Sequence, residues 1–154
     1  MSGRLLGVDL GDRRIGLAIA ELDSGHVRPW KTIRRAADPG ADAAAILRLI
    51  EGIAVTEIVC GLPLEASGRE GAQARLTRSW VEAFGPAIGV PVSLRDERLT
   101  TFVAESRAPR PPRSRSGGPP SRAQRESRRA LVDRLSAAVI LEDELAARRT
   151  EQTP

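Results

Sequence analysis

The chain opens with two short apolar runs, residues 4–10 (RLLGVDL) and 15–20 (IGLAIA), on either side of Gly11-Asp12-Arg13-Arg14. Two apolar runs joined by a glycine-containing polar turn predict a β-hairpin, and a third strand is expected over residues 27–33. The pattern then changes period. Residues 42–53 place Ala45, Ile46, Leu49, Ile50 and Ile53 three and four positions apart, one face of a helix. The continuous apolar run at 57–61 predicts a buried strand. Residues 73–84 gather Leu76, Trp80, Val81 and Phe84 on a second helical face, followed by a strand at 90–94 and a short helix at 100–107. A long closing helix is expected over 122–149, with Leu131, Leu135, Ala138, Val139 and Leu145 as its apolar stripe. A hairpin followed by helix–strand alternation predicts an α/β fold, a mixed sheet with helices on its faces. The pattern reads as one domain over residues 1–149 with a tail at 150–154. It is interrupted at 108–121 (APRPPRSRSGGPPS), where prolines remove amide donors and little apolar surface is left to pack, so a mobile basic loop is expected.

Composition narrows the chemistry. One cysteine and one histidine in 154 residues exclude an intrachain disulfide and the zinc sites built from several thiolate or imidazole ligands. Any metal must therefore sit mainly on oxygen. Two phenylalanines, two tryptophans and no tyrosine leave little aromatic surface for stacking bases. The early charges and the absence of a long apolar run argue against a signal peptide or a membrane span, and a cytoplasmic protein without membrane partners is expected. The basic residues are Lys31 and 23 arginines, and their excess is local. Residues 105–134 hold nine arginines against Glu105, Glu126 and Asp133, an excess of six on a chain whose total is +4.

Three carboxylates stand out against this background. Asp9 ends an apolar strand, where sheets containing parallel strands commonly place their sites; its plainer role is to cap the following turn. Glu97, preceded by Asp96, also follows a strand, and the plainer role for this pair is to favour the start of the helix at Thr100. Asp133 interrupts the apolar stretch of the closing helix among small neighbours, where a carboxylate needs a partner, either Arg129 or water in the plainer reading. Converging, the three would suit a hard cation, Mg²⁺ or Mn²⁺, with open positions for a substrate phosphate. Arginines of the basic loop, Arg113 and Arg115 among them, would then hold a nucleic-acid backbone, with Arg98, Thr100 and Arg129 helping to position it.

The segments GVDLGDRRIG (7–16), GLPLEASGREGAQA (61–74), DERLTT (96–101) and ALVDRLSAAVIL (130–141) resemble, in order and spacing, the YqgF/RuvX family of RNase H-like nucleases. The resemblance spans nearly the whole chain. It implies a five-stranded mixed sheet flanked by helices, an acidic triad of Asp9, Glu97 and Asp133, and metal-dependent cleavage of nucleic acid. Processing of the 5′ end of pre-16S rRNA is the expected role, with Holliday junction resolution as the alternative; RNA is favoured over DNA, and a homodimer is left open. This chain departs from the family pattern at Glu65, where asparagine is usual, and at 109–121, which is longer and richer in proline and serine.

Two further classes compete. DLGDRRIG also resembles the first phosphate loop of sugar kinases and actin-like ATPases, which close two such domains over ATP where this chain has one. A non-catalytic RNA-binding assembly factor would keep the acids only for the fold. Loss of cutting in Asp9→Asn separates a nuclease from the assembly factor, and ATP turnover would favour the kinase-like class.

Overall fold

The computed structural model describes residues 2–154. Five strands, β1 (Arg4–Leu10), β2 (Arg14–Glu21), β3 (Val27–Arg34), β4 (Val55–Leu62) and β5 (Val92–Asp96), form one sheet in the order β3-β2-β1-β4-β5. β1, β2 and β3 pair antiparallel, whereas β4 and β5 join β1 in parallel, the mixed sheet expected from the patterning. Helices α1 (Pro39–Ile50) and α2 (Ala72–Ile88) cover one face, and α4 (Arg122–Glu151) covers the other, with α3 (Thr100–Arg107) packed beside α4. Strand alternation sorts the core. Leu6, Val8, Leu10, Ile15, Leu17 and Ile19 face α1 and α2, and Leu5, Ala18, Ala20 and Val59 face α4.

The helix limits differ from the periodicity in ways local chemistry explains. α1 begins three residues earlier than expected because Asp38 caps it, accepting from the Ala41 N–H at 3.1 Å, with Pro39 in its first turn. Asp42 is buried; it accepts from the Ala36 N–H at 2.7 Å and from Trp80 Nε1 at 3.0 Å, tying α1 to α2. α2 continues through Gly85-Pro86 to bury Ile88, and Gly89, at φ +67°, closes it. Leu76, expected on its apolar face, is 59% exposed, and Thr77 is buried instead. α4 starts at a capping box formed by Ser121 and Gln124 and takes in Thr150 and Glu151 of the expected tail. No helix or strand forms between α3 and α4, but Arg128 donates to the Pro109 carbonyl and Arg125 to the Pro120 carbonyl, so both ends of that segment are tied to α4.

α4 lies diagonally across the sheet. The Thr32 hydroxyl of β3 donates to the Ala130 carbonyl, Gly16 of β2 lies against the Asp133 carbonyl, Gly7 of β1 against Ala137 and Leu141, and Arg148 reaches Glu57 of β4 at 2.7 Å.

Candidate functional site

Asp9 is the last inward position of β1 on the α4 face, two residues beyond Gly7, and in register it pairs with Gly16 of β2. Gly7 and Gly16 let the helix come this close. A Cβ on Gly16 would run into the backbone carbonyl of Asp133, and one on Gly7 would stand 2.7 Å from the Ala137 carbonyl. Close docking of α4 therefore brings Asp133 over the strand next to Asp9.

Glu97 arrives from the other side. β4 and β5 run parallel, Leu62 pairs with Asp96, and the Glu97 N–H continues the ladder to the Leu62 carbonyl at 3.1 Å. Its carboxylate lies over Gly61, where a Cβ would collide with it, beside Ile140 of α4. Glycine at 61 thus vacates the space that Glu97 fills.

The electrostatics join these positions. Burial, and then the charge of Asp133, pushes the Asp9 carboxyl up to about 7. Burial, then the charges of Asp9 and Asp96, pushes Glu97 up to about 9. The Cys60 thiol, fully buried beneath the pair, is raised by its burial and by both carboxylates, which keeps it protonated. Among the described residues no side chain hydrogen-bonds to the carboxylate of Asp9 or Glu97. Asp133 is different: Arg14 Nε donates to its Oδ2 at 2.7 Å, with the Asp133 side chain 20% exposed. Among the described residues, no three acidic, histidine or cysteine side chains stand close enough together to hold a metal ion as they are. The arrangement is an uncompensated pair, Asp9 and Glu97, with a third carboxylate alongside that Arg14 engages.

The other expected site residues fall in different places. Arg98 lines the same concavity as Glu97 but donates from Nε to Asp96 Oδ2 at 2.8 Å and from its N–H to Oδ1 at 3.0 Å. Thr100 is 3% exposed and its N–H donates to the Glu97 carbonyl at 3.2 Å, so it fixes the turn that carries Glu97. Arg129 is exposed and shares a concavity with Asp133, Arg14 and the β1–β2 turn. Arg113 and Arg115 are exposed, on a segment whose residues 109–112 share a concavity with Gln124, Ser127, Arg128, Leu131 and Arg134 of α4. Neither arginine lines the concavities that hold Glu97 and Asp133. In the sequence Arg14 stands out only as part of a turn. The signal that finds it is strand alternation: two residues before Gly16, it points to the same face.

The profile of the RuvX family, described as Holliday junction resolvase, matches residues 3–147. A relative from Anaeromyxobacter dehalogenans (strain 2CP-1) named "Putative pre-16S rRNA nuclease" is 44% identical over 139 residues, covering 90% of this chain and 93% of its own length. A relative of the same name from Chloroflexus aurantiacus is 35% identical over 146 residues, 95% of this chain and 88% of its own. The RuvC of T. thermophilus, solved in complex with a Holliday junction substrate, superposes with a TM-score of 0.51 over 95% of this chain and 96% of its own at 18% identity, a likeness of fold. With its RNase H-like sheet and a family match running almost from end to end, the chain belongs to the RuvX family of nucleases.

Proposed function

We propose that Asp9, Glu97 and Asp133 are the acidic centre of this nuclease, that they hold Mg²⁺ or Mn²⁺, and that the substrate is the 5′ region of pre-16S rRNA. The observation that carries the proposal is the burial of Asp9 and Glu97, at the ends of β1 and β5 on either side of β4, without a counter-charge, so that burial raises both, the charge of Asp133 adding to the rise of Asp9 and those of Asp9 and Asp96 to the rise of Glu97. Such a pair is costly unless a cation joins it. The donor set fits a hard divalent ion: three carboxylates, and a buried thiol that stays protonated. When bound, such an ion supplies the charge that favours ionisation of an attacking water and offsets charge on the leaving oxygen.

The chain's own residues do the rest. Asp9 is central, feeling Asp133 and felt by Glu97. Arg14 holds the Asp133 carboxylate at the rim and would compete for it with a cation bound by the cluster. Arg129, exposed in the adjoining concavity, takes a phosphate oxygen, and Arg98 does so beside Glu97. Thr100 acts indirectly, through the turn that carries Glu97.

The relatives' names support pre-16S rRNA as substrate, and maturation of ribosomal RNA is work for the cytoplasm. Among the described residues no helix is long and apolar enough to cross a membrane. The family description favours a second reading, a resolvase acting on a DNA four-way junction, which would act as a symmetric homodimer. The deciding experiment offers a labelled pre-16S 5′ leader, an unrelated single-stranded RNA and a DNA junction to wild type and Asp9→Asn in Mg²⁺, Mn²⁺ or EDTA. Metal-dependent cutting of the leader, lost in the variant, is expected. Cutting of the junction alone selects the resolvase, and binding without cutting under every metal overturns the catalytic centre.

A further inference from the structure

α4 is longer than the sheet beneath it. Its 30 residues extend about 45 Å, and Ala130 and Arg134 hydrogen-bond with Thr32 of the edge strand β3. None of residues 122–131 is buried, so the first turns of the helix project past the sheet. Beneath this overhang, two adjoining concavities share Arg13, Arg14 and Glu126 and so form one groove. It runs from Asp133, along the β1–β2 turn, to Arg34 at the end of β3. Its cations are Arg13, Arg14, Arg34, Arg122, Arg129 and Arg134.

Some of these charges are already engaged. Arg14 holds Asp133, Arg134 donates to the Thr32 hydroxyl at 3.2 Å, and Arg122 pairs with Glu126 at 3.0 Å. Among the described residues the guanidinium groups of Arg13, Arg34 and Arg129 make no hydrogen bond or ion pair, and all three are exposed. The groove thus has one end at an acidic centre and unspent positive charge along the rest of its length.

We infer that this groove is the track for the phosphodiester backbone of the substrate strand, leading it along the overhang of α4 to Asp133. The inference rests on the nuclease reading above and adds the path the strand takes. Arg113 and Arg115, to which composition alone assigns the grip, do not line this groove; residues 109–112 border a further concavity on α4 that meets it at Ser127 and Arg134. The contact is with phosphate, so it carries charge and shape recognition and no base readout.

The test is binding without cutting. A short fluorescein-labelled RNA, and a DNA of the same sequence, are titrated in EDTA by fluorescence anisotropy over a range of salt concentrations. On a single strand, every arginine–phosphate pairing that a substitution abolishes lowers the slope of log affinity against log salt by about 0.7. Arg13→Ala/Arg34→Ala removes two such pairings and is expected to lower the slope by about 1.4 and weaken binding at low salt, while Arg113→Ala/Arg115→Ala leaves the slope unchanged. Glu126→Gln frees Arg122 and is expected to tighten binding, a gain that misfolding cannot imitate. The nucleic acid whose slope falls in the groove variant is the one that uses the track. An unchanged slope in the groove variant, or a fall confined to the loop variant, overturns the inference. Failure here with metal-dependent cutting intact removes the track and leaves the nuclease. A lowered slope in a protein that never cuts keeps the track and removes the acidic centre.

Discussion

Asp9 and Glu97 are carboxyl groups held where their charge is unwelcome, and this has a measurable consequence in metal-free protein. Asp9 is raised from the ordinary 3.8 to about 7, and Glu97 from 4.5 to about 9, burial being the larger cause in each. Between the ordinary and the raised values the folded protein binds more protons than the unfolded chain, so stability falls as pH rises. Urea unfolding in EDTA is expected to show these two groups lowering stability most steeply between about 4.5 and about 7, and less steeply from there to about 9. Asp9→Asn removes one of the two contributions below about 7, and Glu97→Gln removes the other together with the fall that continues to about 9. A stability curve that climbs over this range would contradict the arrangement. The strand-end positions of these acids were legible in the sequence, because an acid ending an apolar run is a local signal. The partner of Asp133 was not. Sequence proximity points to Arg129, whereas the structure supplies Arg14 from 119 residues away, a pairing that exists only once α4 lies over β2. Thr100 was expected to help position the substrate, and only the packed turn shows it buried.

Among the elements, the seat of α4 on the sheet decides the distance between the acids. Gly16 has no room for a side chain because the backbone carbonyl of Asp133 fills the space, and a backbone atom cannot swing aside as a long side chain does. Gly16→Ala is expected to lift the helix locally, cost about 1–3 kcal/mol in urea unfolding, and depress cleavage beyond what the remaining folded fraction explains. Asp42→Ala provides the contrast. It leaves the Trp80 Nε1–H and the Ala36 N–H without their acceptor on the far side of the sheet, costing about 2–4 kcal/mol with cleavage per folded molecule unchanged. All nine elements were legible from periodicity, but their limits were set by signals that periodicity does not carry. The Asp38 cap moved the start of α1, and a core position for Ile88 carried α2 through a proline. The exchange of Leu76 for Thr77 on the buried face has the same origin: neighbours on α1, not hydropathy, choose the inner side.

For the molecule as a whole, the proposed acidic centre couples divalent ion to folding. An ion that binds the acidic centre only when α4 is docked stabilises the folded state by about 2.7 kcal/mol at a hundredfold excess over its Kd. For a chain of this length that corresponds to a rise in Tm of roughly 5–10 °C. Titration of Mn²⁺ with thermal unfolding as readout is expected to show the rise in wild type and to lose most of it in Asp9→Asn; equal shifts in both would place the ion elsewhere. The overall architecture and the positions of Asp9 and Glu97 were readable because they are written along the chain as strands and strand ends. The diagonal course of α4 was not, since no stretch of sequence states the angle at which two faces meet. That course also sets a timetable. Asp9 and Arg14 emerge with the first hairpin, Glu97 follows after β5, and Asp133 belongs to a helix made later than all five strands. A chain caught partway through synthesis has the strands and two of the acids but cannot assemble the third. The proposed scissors therefore close only after α4 has been made and docked, and the strands alone form no cutting centre.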